Sequence, residues 1–351
     1  PIVRQRGYFI SGKFDQYKRN IPYIALIQAF ASLMRQLLSE NTDKLQIWKE
    51  KILQALGSQA KVVIDIIPEL QLIIGQQPDV PQLPPAEAQN RLSLLFKQFL
   101  AVFAKKEHPL VIFLDDLQWA DIASLNLMKT IVGNSSGQYL LLIGAYRDNE
   151  VNAAHPLIQT IEELQDLGVI INNIILQALD FTQVKKLISD TLSEKEEIKS
   201  LAELLFNKTG GNPFFLTQLL QCLEQEKLIN FDYKSANWQW NIEEIQAIGI
   251  TDKSVVELLA GKIEKLPEAT QQVLKLAACI GNRFNLDVLS VVNEQSSNAT
   301  ASQLWRALQL GLVLPLNEAY KVPLVFDRKE GIDRQFDNSK VSYRFLHDRV
   351  Q

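Results

Sequence analysis

Apolar residues recur every three or four positions over much of the first hundred residues, a spacing typical of helices. They predict helices at Tyr23–Leu38, at about Thr42–Leu56 and at about Ala86–Lys105. Gly7–Gly12 is instead a short run of aromatic and β-branched residues, which predicts a strand. Four prolines in Pro78–Pro85 predict a loop before the third helix.

The next segment alternates strand and helix patterns. Leu110–Leu114 is a continuous apolar run of strand length, which is typical of a strand buried on both faces of a parallel sheet. A helix at about Ala123–Val132 and a second buried strand at Tyr139–Tyr146 follow. This order predicts a βαβ unit with a right-handed crossover. A helix at Pro156–Leu167 and a strand at Val169–Leu176 repeat the alternation.

The remaining sequence is mainly helical. Thr182–Leu228 has a helical pattern that is broken at Thr209–Pro213, and Phe231–Trp240 predicts a small hairpin. Short helices and then strand-like pieces follow from Thr251, which is the order of a winged-helix domain. The helices are predicted at about 254–265, 268–280, 286–292 and 301–310, and the strand-like pieces at 312–316 and 341–346.

The sequence therefore predicts an α/β fold in three parts. Residues 1–179 form a parallel sheet flanked by helices. Residues 180–250 form a small helical domain with a hairpin, and residues 251–351 form a winged-helix-like domain that is truncated at its C-terminus. The chain lacks an initial Met and stops without a helix-ending signal, so we interpret both ends as cuts through a longer protein.

Composition narrows the class of protein. Of the 351 residues, 47% are hydrophobic and 22% charged, as in soluble globular proteins, and the net charge of -4 provides no basic face for nucleic acid. Cys222 and Cys279 lie in apolar helical patterns, which predicts two buried free thiols and a reducing cytoplasm. There is no apolar run of 18 residues, so no membrane span is expected.

Two acids end the first buried strand. Ligands of open parallel sheets bind beyond the carboxyl ends of the strands, and carboxylates there together with phosphates suit Mg²⁺. Asp115 is therefore the candidate metal ligand, and Asp116 is the candidate that polarises an attacking water. Arg147 ends the next strand and is the candidate for reading a γ-phosphate. The alternatives are helix capping for the acids and a structural ion pair to Asp148 or Glu150 for the arginine.

A phosphate-binding loop is not predicted. Ser11–Phe14 contains Gly-Lys, but Phe14 stands where the motif requires Ser or Thr, and the segment does not open onto a helix. Two other positions are weaker candidates for residues of a functional site. Pro213 begins a helix after a tight turn that suits an adenine pocket or an ordinary connection, and His347 with Asp348 ends a predicted strand, where a structural histidine is the alternative.

The chain resembles the AAA-16, or Orc1-like, ATPase module of the STAND class of signalling ATPases. The resemblance covers nearly the whole chain and is carried by GYFISGKFDQYKRNIPY, LVIFLDDLQWAD, LLIGAYRDNEV, TGGNPFFL and FLHDRV. It is nearest to bacterial, and especially cyanobacterial, proteins that join a serine/threonine kinase, this module, GAF or PAS sensors and often a histidine kinase. It departs from the family in lacking the P-loop, which there precedes the segment matching Pro1.

The resemblance implies that the sheet of residues 1–179 is of the P-loop NTPase type with its N-terminal part missing. It also implies roles for the candidate residues. Asp115 and Asp116 match the Walker B acids, Arg147 matches sensor 1, Pro213 matches the proline beside adenine, and His347 matches the histidine that senses ADP. ATP and Mg²⁺ are the implied cofactors. Other domains of the same polypeptide and self-association are the implied partners. The parent protein is then an ATPase, and a kinase through its other domains, whereas this stretch alone is expected to be inactive.

Three functions compete. The first is a nucleotide-dependent switch, and the second is an interaction scaffold in which the motif remnants serve only folding. The third is DNA binding by the winged helix. Between Lys262 and Leu310 there are five Lys or Arg and four Asp or Glu, so the net charge of +1 does not favour DNA.

Overall fold

The computed structural model describes residues 7–16, 19, 21–133, 139–192, 198–247, 255–316, 320, 341–346 and 350, without the side chains of 255, 256 and 258. The chain divides into two compact units, Pro1–Asn173 and Ile174–Gln351, called here the first and the second unit. The predicted three domains and their boundaries stay a prediction. None of the described helices is both long and apolar enough to cross a bilayer.

The first unit contains a parallel sheet of three strands in the order β1 (Tyr8–Lys13), β2 (Leu110–Asp115) and β3 (Leu140–Gly144). Tyr8 pairs with Leu110, and Leu110 pairs with Leu140, so the carboxyl ends of the three strands meet at one edge. This register confirms the predicted parallel sheet. Its helices are α1 (Ile24–Leu38), α2 (Thr42–Leu56), α3 (Ala60–Ile64), α4 (Gln71–Ile74), α5 (Pro85–Phe103), α6 (Ile122–Val132) and α7 (Pro156–Asp166).

The core of the first unit lies between the sheet and its helices. Phe30 of α1 packs edge-on against Phe96 of α5, and Trp48 of α2 stacks on Phe103. These aromatic side chains are buried together with Ile112 of β2. Each large buried ring stabilises the fold by about 2 kcal/mol, so this core fixes the strands whose ends carry the candidate site.

Two predictions about strands in this region are wrong. β3 was predicted to be buried, but Leu141 is 54% exposed because, among the described residues, a strand pairs with only one of its edges. Val169–Leu176 was predicted to be a strand, but it has no regular structure and Leu176 is exposed. An extended apolar segment becomes a strand only where a neighbouring strand accepts its hydrogen bonds, and no described strand pairs with this one.

The second unit contains eight helices and two small antiparallel sheets within the described residues. Its helices are α8 (Phe181–Leu192), α9 (Ile198–Thr209), α10 (Pro213–Gln225), α11 (Ile242–Ala247), α12 (Val255–Glu264), α13 (Glu268–Ile280), α14 (Leu286–Val292) and α15 (Ser297–Gln309). Its strands are β4 (Ile229–Asp232), β5 (Asn237–Trp240), β6 (Arg283–Asn285), β7 (Val313–Pro315) and β8 (Ser342–Phe345).

The elements of the second unit follow the sequence patterns closely. β4 and β5 form the predicted hairpin, and β8 lies between β6 and β7 in a three-stranded sheet. The strand β6 was not predicted, because three residues are too few to show a period. The prediction of two buried thiols is half wrong, since Cys222 is buried but Cys279 lies on the exposed side of α13.

Candidate functional site

Four charged residues of the first unit lie together at the carboxyl ends of the three parallel strands. Lys13 ends β1, Asp115 ends β2 opposite Lys13, and Asp116 follows directly. Arg147 lies three residues after the end of β3. Because the strands are parallel and in register, residues far apart in sequence reach the same edge.

Asp116 has a left-handed backbone conformation, with φ of 54°. Aspartate tolerates this conformation better than most residues do. Successive side chains of a regular strand point to opposite faces, so this departure from strand geometry lets neighbouring acids approach one cation. Lys13 Nζ lies 2.7 Å from Asp116 Oδ2 and 3.8 Å from Asp115 Oδ2.

The two acids differ in burial. The side chain of Asp116 is 7% exposed, whereas that of Asp115 is 40% exposed. Burying a carboxylate is costly unless charges and donors surround it. Around Asp116 they do: Lys13 is next to Oδ2, Gln118 Nε2 donates to Oδ1 at 2.9 Å, and Arg147 Nε lies 3.7 Å from Oδ1.

Arg147 is held on several sides. Its guanidinium lies over the ring of Trp119, 5.4 Å from the centroid, and Nη1 is 3.1 Å from Glu150 Oε1. The ion pair to Glu150 is the structural alternative raised from the sequence, and it exists together with the contact to Asp116. The side chain is 35% exposed, so its guanidinium is still accessible to a ligand at this edge.

Lys13 is a residue of this site that the sequence pattern did not predict. Gly7 stands five residues before Gly12, so Gly7–Lys13 fits the phosphate-loop spacing and only Phe14 departs from the motif. The structure shows that this segment is β1, whose amides pair with β2 instead of forming a phosphate cradle. The signal that could have found Lys13 is its place at the end of a strand parallel to Leu110–Asp115.

The glycine and the phenylalanine of this segment have packing roles. A Cβ on Gly12 would lie 1.8 Å from the carbonyl oxygen of Ala25, so only glycine lets β1 approach the start of α1. Phe14, the residue that breaks the motif, is 1% exposed in the core. Packing therefore explains Gly12 and Phe14. The position of Lys13 at the end of β1, beside the two acids, explains the lysine.

The helix that follows the acids is tied to the start of α1. Asp121 caps α6 by accepting the backbone N–H of Ser124 through Oδ1, at 2.8 Å. Its Oδ2 and the Ser124 hydroxyl accept the N–H of Tyr23, at 3.3 and 3.1 Å. Burial and the charge of Asp121 raise the pKa of the Tyr23 phenol. These contacts hold the turn that carries Asp116 against the rest of the first unit.

The other predicted site residues lie elsewhere. Pro213 begins α10 in the second unit, where Asn212 Oδ1 accepts the N–H groups of Phe214 and Phe215 at 3.0 and 3.2 Å. Its predicted role beside adenine stays a prediction. His347 lies outside the described residues. The described residues contain no cluster of three or more His, Cys, Asp or Glu that would form a metal site without phosphate ligands.

Comparison with known proteins agrees with an ATPase-type first unit. Residues 1–143 match the family described as AAA ATPase domain. This range contains β1, β2 and most of β3, together with both acids of the candidate site, whereas Arg147 lies beyond it. The match supports a P-loop ATPase module, as the resemblance of the sequence implies.

Curated relatives are signalling kinases. The chain is 35% identical to Hybrid signal transduction histidine kinase G of Dictyostelium discoideum over 82% of this chain and 10% of that protein. It is 20% identical to Peroxide stress-activated histidine kinase mak3 of Schizosaccharomyces pombe over 88% of this chain and 15% of that protein. The chain thus spans about a tenth to a seventh of these relatives' lengths. The relatives support an ATPase module in a signalling protein.

Solved structures give a weaker likeness. One RuvB variant of Thermotoga maritima is 20% identical over 58% of this chain and 64% of its own, with a TM-score of 0.26. Another is 18% identical over 74% of this chain and 78% of its own, with a TM-score of 0.28. At those TM-scores the likeness carries no argument about this chain.

Proposed function

We propose that this chain is part of an ATP-binding regulatory switch of the STAND class within a multidomain signalling kinase. The observation that carries the proposal is the meeting of Asp116 and Arg147 at neighbouring strand ends, with Oδ1 3.7 Å from Nε. Acids at one strand end and a guanidinium at the next are what a magnesium–triphosphate requires. The AAA ATPase domain match over residues 1–143 supports the same class.

The chemistry of the two carboxylates fits a magnesium ion. They already share one cation, since the Lys13 ammonium lies within 4 Å of both. Oxygen ligands from one or two carboxylates, completed by water and phosphate, are the set that Mg²⁺ prefers. We assign the exposed Asp115 as the residue that would hold the ion, directly or through water. When bound, the ion supplies charge neutralisation to the phosphates.

Asp116 and Arg147 would act on the reacting atoms. Asp116 is buried and held by donors, so its carboxylate is positioned to accept a hydrogen bond from an attacking water. Arg147 would donate to the terminal phosphate and neutralise charge that develops on it during transfer. Both roles rest on the contacts that these side chains already make at the edge of the sheet.

The phosphate cradle is assigned to a segment that precedes Pro1 in the parent protein. The strand β3 has neighbours on one edge only within the described residues, and Leu141 and Ile143 are exposed. A parallel strand added at that edge would bury these side chains and would end beside Arg147. Its following loop would then lie over Asp115 and Asp116.

The proposed switch uses the second unit as well. ATP and ADP would favour different arrangements of the chain, to the extent of their differential affinity. Pro213 is assigned to the adenine and His347 to sensing bound ADP. The relatives named as histidine kinases support a parent protein with further signalling domains, which would be the partners of the switch. The same proposal includes serine/threonine kinase and sensor domains in the parent protein, self-association and a cytoplasmic location.

The experiment compares nucleotide binding by this chain with binding by a chain extended by about 50 upstream residues, enough for a strand, a loop and a helix. We expect magnesium-dependent ATP binding by the extended chain and little binding by the 351-residue chain. Asp116→Asn in the extended chain is expected to lower turnover at least about 100-fold. Asp148→Asn serves as the control, because Asp148 is an exposed acid that directly follows Arg147. No magnesium-dependent binding by the extended chain would overturn the proposal.

A second function, an interaction scaffold without turnover, is favoured by one contact. The Lys13 ammonium lies 2.7 Å from Asp116 Oδ2, which pairs the acid with a cation without any metal. In a scaffold, Asp116→Asn would leave the low turnover of the extended chain unchanged. That result separates the scaffold from the switch.

A further inference from the structure

Gln118 is an amide that is buried at the centre of the candidate site. It is 2% exposed and lies in the short turn Leu117–Trp119 that follows Asp116. Its Nε2 donates to Asp116 Oδ1 at 2.9 Å, and its Oε1 accepts the backbone N–H of Arg147 at 3.3 Å. Only one orientation of the amide satisfies both partners, because a carboxylate accepts and an N–H donates.

The backbone of Gln118 makes a third connection. Its carbonyl oxygen lies 3.2 Å from His155 Nε2, and His155 Nδ1 accepts the N–H of Leu157 at 3.2 Å. Nδ1 is therefore the unprotonated nitrogen, so Nε2 carries the proton and donates to Gln118. Through these bonds one residue connects the end of β2, the segment that follows β3 and the start of α7.

We propose that Gln118 is a positioning residue that holds Asp116 and Arg147 in one fixed relation for phosphoryl transfer. The proposal rests on the proposed ATPase function and adds a residue to it. Asp116 Oδ1, which the amide holds, is the same oxygen that faces Arg147 Nε at 3.7 Å. Without the amide, this carboxylate is free to turn towards the guanidinium, and the main chain of Arg147 loses its acceptor.

The test uses Gln118→Met and Gln118→Glu in the extended chain. Methionine keeps the length of the side chain but removes both hydrogen bonds, and we expect kcat to fall about 10- to 100-fold with a smaller change in KM. Gln218→Met is the matched control, because Gln218 is a buried glutamine (4% exposed) that donates to Gln221 in the second unit. The control is expected to keep its kcat within about twofold.

Gln118→Glu is expected to show a pH dependence of activity that a purely structural role of Gln118 would not produce. A glutamate at 118 faces Asp116, so like charge raises its pKa. Its protonated form again donates to Asp116 and accepts from Arg147, as the amide does. The activity of Gln118→Glu relative to the unsubstituted extended chain is therefore expected to rise several-fold as the pH falls from about 8 to about 6, whereas that of Gln118→Met stays flat.

A second measurement needs no activity. Hydrogen exchange at the Arg147 amide in the chain as given is expected to become about tenfold faster in Gln118→Met and to be unchanged in Gln218→Met. If the extended chain hydrolyses ATP but Gln118→Met turns over as fast, or if its Arg147 amide stays protected, the positioning role is wrong. If the unsubstituted extended chain does not bind and hydrolyse ATP, the proposed function falls and the role falls with it.

Discussion

Two buried charges in this chain have opposite environments. Asp116 in the first unit is 5% exposed, and three side chains surround it. Lys262 of α12 in the second unit is 9% exposed, and its Nζ has no hydrogen-bond partner within the described part of the chain. Burial lowers the pKa of Lys262, and the neighbouring Cys222 opposes that effect only in part.

The difference distinguishes a charge that belongs to an organised site from a charge whose burial only lowers stability. A buried carboxylate with an ammonium beside one oxygen and an amide donor on the other is organised for a ligand that exchanges with those partners. A buried ammonium without an acceptor lowers stability and provides no such arrangement. Burial of a charge is therefore weak evidence of function by itself, and its partners decide the interpretation.

The largest expected effect concerns the partnered charge. Lys13→Met and Asp116→Asn are each expected to lower the free energy of unfolding of the first unit by about 2 kcal/mol, because each removes the nearest opposite charge of the other group. The double variant is expected to lose less than the sum, with a coupling of about 1 to 2 kcal/mol. Urea unfolding, assigned to the first unit by hydrogen exchange, measures the cycle. Additive losses would show that the two groups do not interact.

The next effect concerns the charge without a partner. Lys262→Met is expected to raise the stability of the second unit by about 1 kcal/mol, because it removes a buried ammonium that has no acceptor. The pKa of Lys262 is lower in the folded chain than in the unfolded chain, so the unfolded state binds the proton more tightly. Stability is therefore expected to rise as the pH increases through the folded pKa towards about 10.4. In Lys262→Met this rise should be absent, and loss of stability would contradict the interpretation.

The smallest effect concerns an exposed ion pair. Lys265 Nζ lies 3.0 Å from Glu226 Oε1, with 76% and 46% of the two side chains exposed. Lys265→Met is expected to change stability by less than about 0.5 kcal/mol, because water and salt screen such pairs. It is also a near neighbour of Lys262 for comparison. A change as large as that of Lys262→Met would remove the contrast between buried and exposed lysines.

Most elements could be predicted because their apolar pattern matches their final burial. The helix predicted at Thr42–Leu56 has those bounds in the structure, and Leu110–Leu114 differs from β2 by one residue. Parallel strands and the meeting of Asp116 with Arg147 also followed from the order of the elements. The strand predicted at Val169–Leu176 failed, because apolar composition alone cannot show whether a pairing partner exists.

The contacts that complete the candidate site could not be predicted from spacing. Lys13 reaches Asp116 through the register of β1 with β2, and Gln118 is buried by a turn with a left-handed residue. Both depend on the tertiary structure, since no local pattern marks an amide or a lysine as a partner of a distant acid. Asp115, Asp116 and Arg147 were found because strand ends mark them, and their assigned roles stay predictions.

Magnesium-dependent binding of ATP by the extended chain tests the account most directly, when it is measured by titration calorimetry for the unsubstituted chain and for Asp115→Asn. We expect tight binding only with magnesium, and a magnesium dependence at least about tenfold weaker in Asp115→Asn. Binding that is equally tight without magnesium, or the same in both chains, would contradict a shared metal–phosphate site at these strand ends.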